Sequence, residues 1–241
     1  VVPAKPAAWP TWTIEAPPTL SYALPAGAKF TRRELELPGQ PGEPKLVGEL
    51  LIPPGKGPFP ALLFLSSTGQ QDRHGFAGPP PVDLGSHEIT DALAQAGFAV
   101  LRYDERGFGG SAEGSISYSS QLEDARRGLR TLLVQDDVDP DRIAVVGHGE
   151  GGWRALQLAG EGRKLRAVAL LASPGRPYEV LLRAQAALAI EAVPPELRAE
   201  ARKTQDKTLA ALRSGKDLPP ELRSTGTWIR EALEVDVDAL I

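Results

Sequence analysis

The chain has 241 residues, of which 41% are hydrophobic and 24% charged, so it is long enough to bury one sizeable core and has the composition of a globular protein. Its formal net charge of -4 at pH 7 gives no basic surface for nucleic acid, and no apolar run approaches the roughly 18 residues that cross a bilayer. The sequence contains no cysteine, which excludes disulfides, thiolate metal sites and a cysteine nucleophile but leaves the compartment open.

The beginning of the chain predicts an extended arm. Residues 1–28 are rich in Pro and Ala and show no sustained periodicity, as is typical of an arm or a linker. The chain starts with Val1 and contains no methionine, so we expect it to be processed or to be a segment of a longer protein. A Pro-rich start suits an exported or multidomain protein, and the localisation stays open.

The next part of the chain predicts a hairpin and a buried strand. Residues 30–37 alternate as an edge strand does, a turn rich in Pro and Gly follows, and residues 45–53 form the hairpin partner. Residues 59–67 are a short apolar run that ends in small residues. Such a run is typical of a central strand that is buried on both faces.

Helices and strands then alternate as far as residue 175. The predicted elements are helices over 86–97, 117–135 and from about Glu150, strands over 98–104, 142–147 and 165–175, and a turn at 136–141. This βαβα alternation requires a mostly parallel sheet with helices on both faces. The predicted fold class is therefore α/β.

The last part of the chain predicts helices alone. Residues 178–235 contain helical stretches broken by Pro-Pro pairs and Gly, and no strand is visible there. We interpret this part as a helical cap inserted into the sheet domain. The predicted organisation is an arm over 1–28, the N-terminal part of an α/β core over 29–175, and a cap over 176–241 that leads to further core strands.

A glycine-rich stretch, VVGHGEGG, joins a strand to a helix and has several interpretations. Gly147, Gly149 and Gly152 match a dinucleotide-binding fingerprint, in which glycines allow the pyrophosphate to approach backbone amides. That fingerprint normally opens the first βα unit, whereas several strands precede it here. The next strand ends in Ala172 and Ser173 instead of the acidic residue that holds the ribose. A second interpretation, in which the stretch is a Gly-rich turn without a function, also remains.

The same stretch matches a nucleophile elbow, which is a sharp turn from a strand into a helix. The backbone there is strained and crowded, so the elbow needs small residues two positions before and two positions after the nucleophile. Gly147 and Gly151 occupy those positions, and His148 and Glu150 flank the position between them. At the nucleophile position itself stands Gly149.

Two further motifs accompany the elbow. RYDERGFGGS, residues 102–111, is similar to an Asp-x-Arg-Gly-x-Gly-x-Ser turn after a fourth strand, and LFLSSTGQQDRHG, residues 63–75, looks like an oxyanion loop after a third strand. Together with DVDPDRIAVVGHGEGG they resemble the α/β-hydrolase superfamily, particularly its bacterial esterase and peptidase-like branch, which is related to dienelactone hydrolases and has a helical cap. The motifs cover roughly residues 45–175 in the expected order, so the resemblance implies the α/β-hydrolase fold.

The resemblance implies roles for particular residues. The amide that follows the nucleophile gives one oxyanion donor, here Glu150, and the third-strand loop gives a second, here Thr68 or Gly69. Asp104 and Arg106 are expected to hold their turn together.

For other side chains near the site, the expected roles lie outside the chemical step. Asp72, Arg73 and His74 are expected to be solvated loop residues beside the mouth of the site. The Glu150 carboxylate is expected to face the cap or solvent. Trp153 and Trp228 either form an acyl pocket between sheet and cap or pack in the core.

Two departures from the family pattern put catalysis by this chain in doubt. Gly149 has no side-chain atom that attacks an acyl carbon, so either a serine was replaced by glycine or the protein is a natural pseudoenzyme. The family also places its acid and histidine after the nucleophile, whereas His74, His87 and His148 precede position 149. The acids that follow are expected on a solvated surface: Asp206, Asp217, Asp236 and Asp238. We expect the last core strands to be missing and a complementary C-terminal segment to carry Asp and His.

These observations predict a serine hydrolase that cleaves carboxylic esters by acyl transfer, with a small-molecule ester or acyl substrate. No metal or organic cofactor is implied. The chain as given is predicted to be inactive because position 149 is glycine. A catalytically dead scaffold or binding protein on the same fold and a dinucleotide-binding domain are the alternatives.

Overall fold

The computed structural model describes residues 20–67, 69–78, 80, 82–162, 165–216, 218, 220–223 and 225–240. Its strands are β1 (Thr31–Leu37), β2 (Leu46–Ile52), β3 (Phe59–Leu65), β4 (Phe76–Ala77), β5 (Val82–Asp83), β6 (Ala99–Tyr103), β7 (Val138–His148) and β8 (Ala167–Leu171). Its helices are α1 (Ser86–Gln95), α2 (Tyr118–Leu133), α3 (Gly151–Gly160), α4 (Tyr178–Glu191), α5 (Arg198–Ser214), α6 (Gly226–Leu233) and α7 (Val237–Leu240). Short 3₁₀ turns lie at Pro195–Leu197 and Pro220–Leu222. Within these ranges, no helix combines the length and the apolar character that crossing a membrane requires.

Six strands form one sheet, in the order β1-β2-β6-β3-β7-β8. β1 and β2 form an antiparallel hairpin, and β2 runs antiparallel to β6. From there β6, β3, β7 and β8 are all parallel to one another. The α/β fold class with a mostly parallel sheet, which the sequence predicts, is confirmed.

The burial of each strand follows its place in the sheet. β3 lies between β6 and β7, and its apolar residues from Ala61 to Leu65 are all buried, as expected of a strand covered on both faces. β1 forms one edge, where its alternating side chains leave charged residues exposed. β8 is the outermost described strand at the other edge, and it exposes Ala167, Ala169 and Leu170.

Helices cover both faces of the sheet. On one face, α2 and α3 contribute Leu129, Leu132 and Leu158 to a core that includes Leu63 and Val145 of the central strands. On the other face, α1 packs Ala94 against a second cluster that includes Leu62, Phe64 and Val146. Successive residues of β3 therefore enter opposite cores, because side chains alternate across a strand.

Helix α2 begins at a capping box formed by two serines. The Ser117 hydroxyl accepts a hydrogen bond from the Ser120 N–H at 3.1 Å, and the Ser120 hydroxyl accepts one from the Ser117 N–H at 3.0 Å. The pair satisfies two donors that a helix start leaves without intrahelical partners. Further along α2, the buried Arg127 guanidinium donates to the carbonyls of Leu37, Pro38 and Pro44. That side chain ties the loop between β1 and β2 to the helix.

Helix α6 packs on α2 and helix α7 on α3, while α4 and α5 pack against α6. The contact between these helices contains a cluster of buried aromatic and aliphatic side chains that includes Tyr118, Trp153 and Trp228. Trp228 meets Tyr178 edge to face with ring centroids 5.4 Å apart, and Tyr118 with centroids 6.3 Å apart. As the sequence predicts, the described residues between 178 and 240 contain helices and no strand.

Three local features differ from the sequence predictions. β7 starts at Val138, inside the expected turn, because Val138 pairs with Phe59 across a register shift. The hairpin of β4 and β5 was not expected, since each strand has only two residues within a segment rich in Pro and Gly. The predicted arm is described only from residue 20, where it runs without regular structure up to β1; residues 1–19 lie outside the described part.

Candidate active site

The chain turns sharply from β7 into α3 at Gly149. This residue has a φ of +55°, in the left-handed region that glycine enters without the penalty of a Cβ atom. Its N–H donates to the Leu171 carbonyl at 2.9 Å, and its own carbonyl accepts from the Gly152 N–H at 3.0 Å. Ala172, next to Leu171, has a φ of +49°. Left-handed backbone thus follows the ends of two neighbouring strands, and it is strained at the non-glycine residue Ala172.

At the two positions that flank this turn, neighbouring backbone lies so close that only glycine fits. A Cβ atom on Gly147 would lie 2.5 Å from the Cα of Gly152. A Cβ atom on Gly151 would lie 2.5 Å from the Ser66 carbonyl oxygen and would overlap that of Leu65. Because backbone atoms form these contacts, a side-chain rotation does not relieve them. The positions two before and two after 149 therefore exclude larger residues.

The loop that follows β3 lies directly against the turn. A Cβ atom on Gly149 would overlap the Ser67 hydroxyl and would lie 3.0 Å from the Ser67 Cβ. The Ser67 side chain thus occupies the space that a side chain at position 149 needs. The sequence predicts Thr68 or Gly69 of this loop as an oxyanion donor and contains no pattern that singles out Ser67. Thr68 itself lies outside the described residues.

A cavity of about 250 Å³ opens beside the turn. Its walls come from the loop after β3, the start of α3, the helix α2 and its preceding loop, and the region of α6: Ser67, Gly69, Gln70, Ile116, Gln121, Glu150, Arg154, Thr225 and Trp228. Two sequence-predicted residues, Gly69 and Glu150, therefore share this cavity. Arg154 was missed, although a single arginine within the apolar helix sequence WRALQLAG was a signal for it.

The Glu150 carboxylate lies inside the protein, so of its two expected surroundings, the cap or solvent, the structure excludes solvent. Glu150 is 8% exposed, and its Oε2 has no hydrogen-bond partner among the described residues. Burial raises the pKa of this carboxyl to about 7, against the opposing attraction of Arg154. Tyr118 and Tyr178 also lie near enough for the Glu150 charge to raise their pKa values further, in addition to burial. Glu150 is thus a carboxyl group near its midpoint of ionisation at neutral pH.

Arg154 lines the cavity and connects several groups around it. Its guanidinium donates to the Gln121 side chain at 2.7 Å and to the Ser66 carbonyl at 2.6 Å. The Ser66 hydroxyl in turn donates to Glu105, and burial raises the pKa of Glu105 to about 7. One guanidinium therefore faces two buried carboxyl groups, those of Glu105 and Glu150.

Asp104 and Arg106 hold the turn after β6, in the role that the sequence predicts. The Asp104 carboxylate accepts from the Gly110 N–H at 2.8 Å and from two nitrogens of Arg73 at 2.8 and 2.9 Å. Arg106 forms a bidentate pair with Asp124 of α2, at 2.6 and 2.8 Å. Such paired hydrogen bonds fix both position and orientation.

The expected solvated loop of Asp72, Arg73 and His74 is instead a buried polar network. Asp72 is 7% exposed and His74 is 5% exposed. The Asp72 carboxylate accepts from the Tyr22 hydroxyl and from the His74 N–H, both at 2.8 Å. The chain reverses at this point to form the β4–β5 hairpin, and the short polar side chains satisfy its amides. No sequence pattern signalled this burial.

The three histidines have different surroundings. His74 sits among Arg102, Arg32 and Arg73, and burial and these positive charges lower its pKa to about 3. His87 lies on α1, where its ring nitrogen is 3.2 Å from the His74 carbonyl oxygen. His148 is the half-buried last residue of β7. The downstream acids at 206, 236 and 238 are exposed, as expected, and residue 217 lies outside the described part.

The two tryptophans share one cluster but have different surroundings. Trp153 is fully buried and its indole N–H donates to the Pro174 carbonyl at 2.7 Å. Trp228 lines the cavity, and its indole N–H donates to the Gln121 side chain at 2.8 Å. Trp153 is therefore a core residue, whereas Trp228 belongs both to the core and to the cavity wall.

Comparison with known families agrees with this geometry. Residues 85–236 match the family described as serine aminopeptidase, S33. The chain belongs to this family. As an S33-family chain it is similar to the esterase EstD of Thermotoga maritima, at 29% identity over 65% of this chain and 35% of that protein. It is also similar to the uncharacterised protein YfhR of Escherichia coli, at 32% identity over 44% of this chain and 39% of that protein. It thus spans little more than a third of the length of these curated relatives.

Solved structures confirm the fold of this S33-family chain. An esterase of Pyrococcus furiosus, Pf2001, superimposes with a TM-score of 0.54 at 18% identity, covering 79% of this chain and 66% of that one. The α/β hydrolase GrgF of Penicillium sp. sh18 superimposes with a TM-score of 0.53 at 18% identity, covering 86% of this chain and 74% of that one. The predicted α/β-hydrolase fold and the esterase-like resemblance are therefore confirmed.

Proposed function

We propose that the protein is a serine hydrolase of carboxylic esters whose nucleophile position is Gly149. The observation that carries this proposal is the left-handed φ of +55° at Gly149, held between β7 and α3 at the mouth of a cavity. A nucleophile elbow has this geometry, because it lifts one side chain above the end of the strand. The inability of Gly147 and Gly151 to accept a Cβ atom supports the same interpretation.

The oxyanion hole belongs to the same proposal. Glu150 precedes the first residue of α3, and N–H groups at a helix start lack intrahelical partners. Gly69 comes from the opposite wall of the cavity. Two such amides stabilise the oxyanion of a tetrahedral intermediate. The site thereby takes a small ester or acyl molecule beneath the helical cap, for which we propose residues 176–241.

We further propose that the catalytic acid and histidine come from a complementary segment that pairs with β8. Of the described histidines, His74 is a poor base, since burial and neighbouring arginines lower its pKa to about 3. β8 exposes three of its five residues, and Leu170 is 44% exposed. An apolar edge strand of this kind is a template for another strand. Such a strand would extend the parallel sheet and bring its own side chains to the site.

The test is ester hydrolysis by the full-length protein carrying Gly149→Ser. We expect this variant to turn over p-nitrophenyl esters about 10²–10⁴-fold faster than Gly149→Ala, because only serine adds a nucleophile that a base activates. Gly149→Ala is the matched control, since both variants add a Cβ at the same strained φ, at a cost of about 1–2 kcal/mol. Nitrophenolate release over a series of acyl lengths is the measurement.

Because space at position 149 is limited, a double variant is also needed. Since Ser67 fills that space, Gly149→Ser is also made together with Ser67→Ala, which gives the new hydroxyl room. Folding of each variant is checked by thermal unfolding. Folded serine variants that remain silent across all acyl lengths would replace the hydrolase proposal with that of a scaffold protein. Measurable affinity of the unchanged protein for NAD or NADP would instead favour the dinucleotide interpretation.

A further inference from the structure

We propose that Ser67 is a relocated nucleophile, which accepts an acyl group from an activated ester with Glu150 as its general base. The inference rests on the proposed function, since it uses the same cavity. The inference goes beyond the proposed function because it assigns chemistry to the unchanged protein, in which position 149 has no side chain. The expected product is a stoichiometric acyl-Ser67, separate from the steady-state turnover expected of Gly149→Ser.

The position of the Ser67 hydroxyl carries this inference. It overlaps the point at which a Cβ atom on Gly149 would stand, so it lies in the immediate neighbourhood of the position that a serine hydroxyl at 149 would occupy. An acyl carbon bonded to Ser67 therefore stays at the N-terminus of α3, where free N–H groups favour developing negative charge. Both Ser67 and Glu150 line the cavity that would hold the ester.

Glu150 has the surroundings of a general base. Its residue is 8% exposed, and its Oε2 is buried without a hydrogen-bond partner among the described residues. The charged and titratable groups that face it are Arg154 of its own helix, Tyr118 of α2 and Tyr178 of α4. Burial raises its pKa to about 7, so the carboxylate form is available at neutral pH and a proton is well held once accepted.

The acylation step balances without any further reagent. The Ser67 Oγ forms a bond to the acyl carbon of the ester. Its proton passes to the Glu150 carboxylate through one water molecule in the cavity, because the Ser67 hydroxyl makes no direct hydrogen bond to Glu150. The bond from the acyl carbon to the alcohol oxygen then breaks. Protonated Glu150 returns its proton to a basic leaving oxygen, whereas a nitrophenolate leaves as the anion. The result is an acyl ester on Ser67 and one released alcohol or phenol.

The first experiment labels the unchanged protein with p-nitrophenyl acetate. We expect a burst of one nitrophenolate per chain, one acetyl group by intact mass, and its location on Ser67 by peptide mapping. Ser67→Ala should lose the burst and the label. Ser214→Ala, which removes an exposed hydroxyl at the end of α5, is the matched control and should keep both.

The second experiment measures how the burst rate depends on pH. In the unchanged protein the rate should rise as pH passes 7, because Glu150 accepts a proton only when ionised. Glu150→Gln preserves the shape of the side chain and should slow the burst about 10²–10⁴-fold, with no rise near pH 7. Conversion of the exposed Glu196 to Gln is the control for the loss of one negative charge.

The outcomes separate this inference from the proposed function. Absence of label, or label on a residue other than Ser67, would overturn the inference even where Gly149→Ser turns over esters. A labelled Ser67 whose burst rate is unchanged in Glu150→Gln would overturn the role of Glu150. Because mapping is done on the unchanged protein, a poorly folded Ser67→Ala variant would not obscure the result.

Discussion

Two buried glutamates, Glu105 and Glu150, lie on either side of Arg154 and differ in what surrounds them. Glu150 lines the cavity, whereas Glu105 accepts a hydrogen bond from the Ser66 hydroxyl and has an unpartnered Oε2 within the described part. A carboxyl that is buried with half of its hydrogen-bonding capacity unused is stable mainly in its neutral form. The ionisation of Glu105 is therefore coupled to folding.

Glu105→Gln should change how stability depends on pH. Burial raises the pKa of Glu105 in the folded state to about 7, above its unfolded value, so its stabilising contribution is complete below about pH 4.5 and is lost as pH rises through 7. Between pH 5 and pH 8, the free energy of unfolding of Glu105→Gln should gain about 1–3 kcal/mol relative to the unchanged protein. Urea unfolding at both pH values measures this difference. Conversion of the exposed Glu191 to Gln is the control, and an equal difference at both pH values would contradict the prediction.

Single residues of the candidate site were predictable where a motif constrains the backbone. Gly147 and Gly151 stand at positions where a Cβ atom meets backbone, and a spacing rule finds such positions in a sequence. Ser67 and Arg154 could not be placed in this way, because their roles depend on which side chains three separate elements bring to one cavity. The burial of Asp72 and His74 likewise depends on a partner 50 residues away from Asp72, Tyr22.

The secondary-structure elements were more predictable from the sequence than the roles of single residues in the site. The strands and helices between 30 and 175 follow the apolar period, and the serines before α2 mark its beginning. The hairpin of β4 and β5 was missed because strands of two residues contain no period to detect. β7 is longer than predicted because its first residues pair with Phe59, and pairing between distant segments cannot be read from local sequence.

Ser117→Ala tests the capping box at the start of α2. The substitution removes the acceptor for the Ser120 N–H and should lower the free energy of unfolding by about 0.5–2 kcal/mol. Ser214→Ala, on the exposed last turn of α5, should change it by less than about 0.5 kcal/mol. Chemical denaturation of both variants gives the comparison, and equal effects would argue against a capping role for Ser117.

At the scale of the whole molecule, an aromatic cluster joins the C-terminal helices to the sheet domain. Trp228 packs between Tyr118 and Tyr178 and donates to Gln121, so a single side chain connects α6 to α2 and α4. The order of elements in the sequence predicts a helical segment after the sheet. It does not predict which face of the domain that segment covers, because this contact joins residues more than 100 positions apart.

Trp228→Ala should loosen the C-terminal helices from the sheet domain. Removal of the indole leaves a cavity and removes one of the two hydrogen bonds that the Gln121 side-chain oxygen accepts, the other coming from Arg154, at a cost of about 3–5 kcal/mol. Hydrogen exchange should accelerate over residues 178–240 and remain slow in β3 and β7. Leu188→Ala is the control, since Leu188 is 70% exposed and its loss should leave exchange unchanged. Uniform acceleration across both parts would show that they unfold as one unit.

The loop after β3 is anchored at both ends, and this affects how a ligand would enter the cavity. Ser66 is held by Glu105 and Arg154 on one side, and Arg73 is clamped by Asp104 on the other. Between them, the Gln70 side chain donates to the Arg106 carbonyl and the Asp72 carboxylate accepts from the Tyr22 hydroxyl, so we expect this wall of the cavity to move little. A molecule larger than about 250 Å³ would therefore enter by displacing the opposite wall, at Thr225 and Trp228. For the proposed hydrolase, we therefore expect the upper limit on substrate size to depend on how far α6 can move.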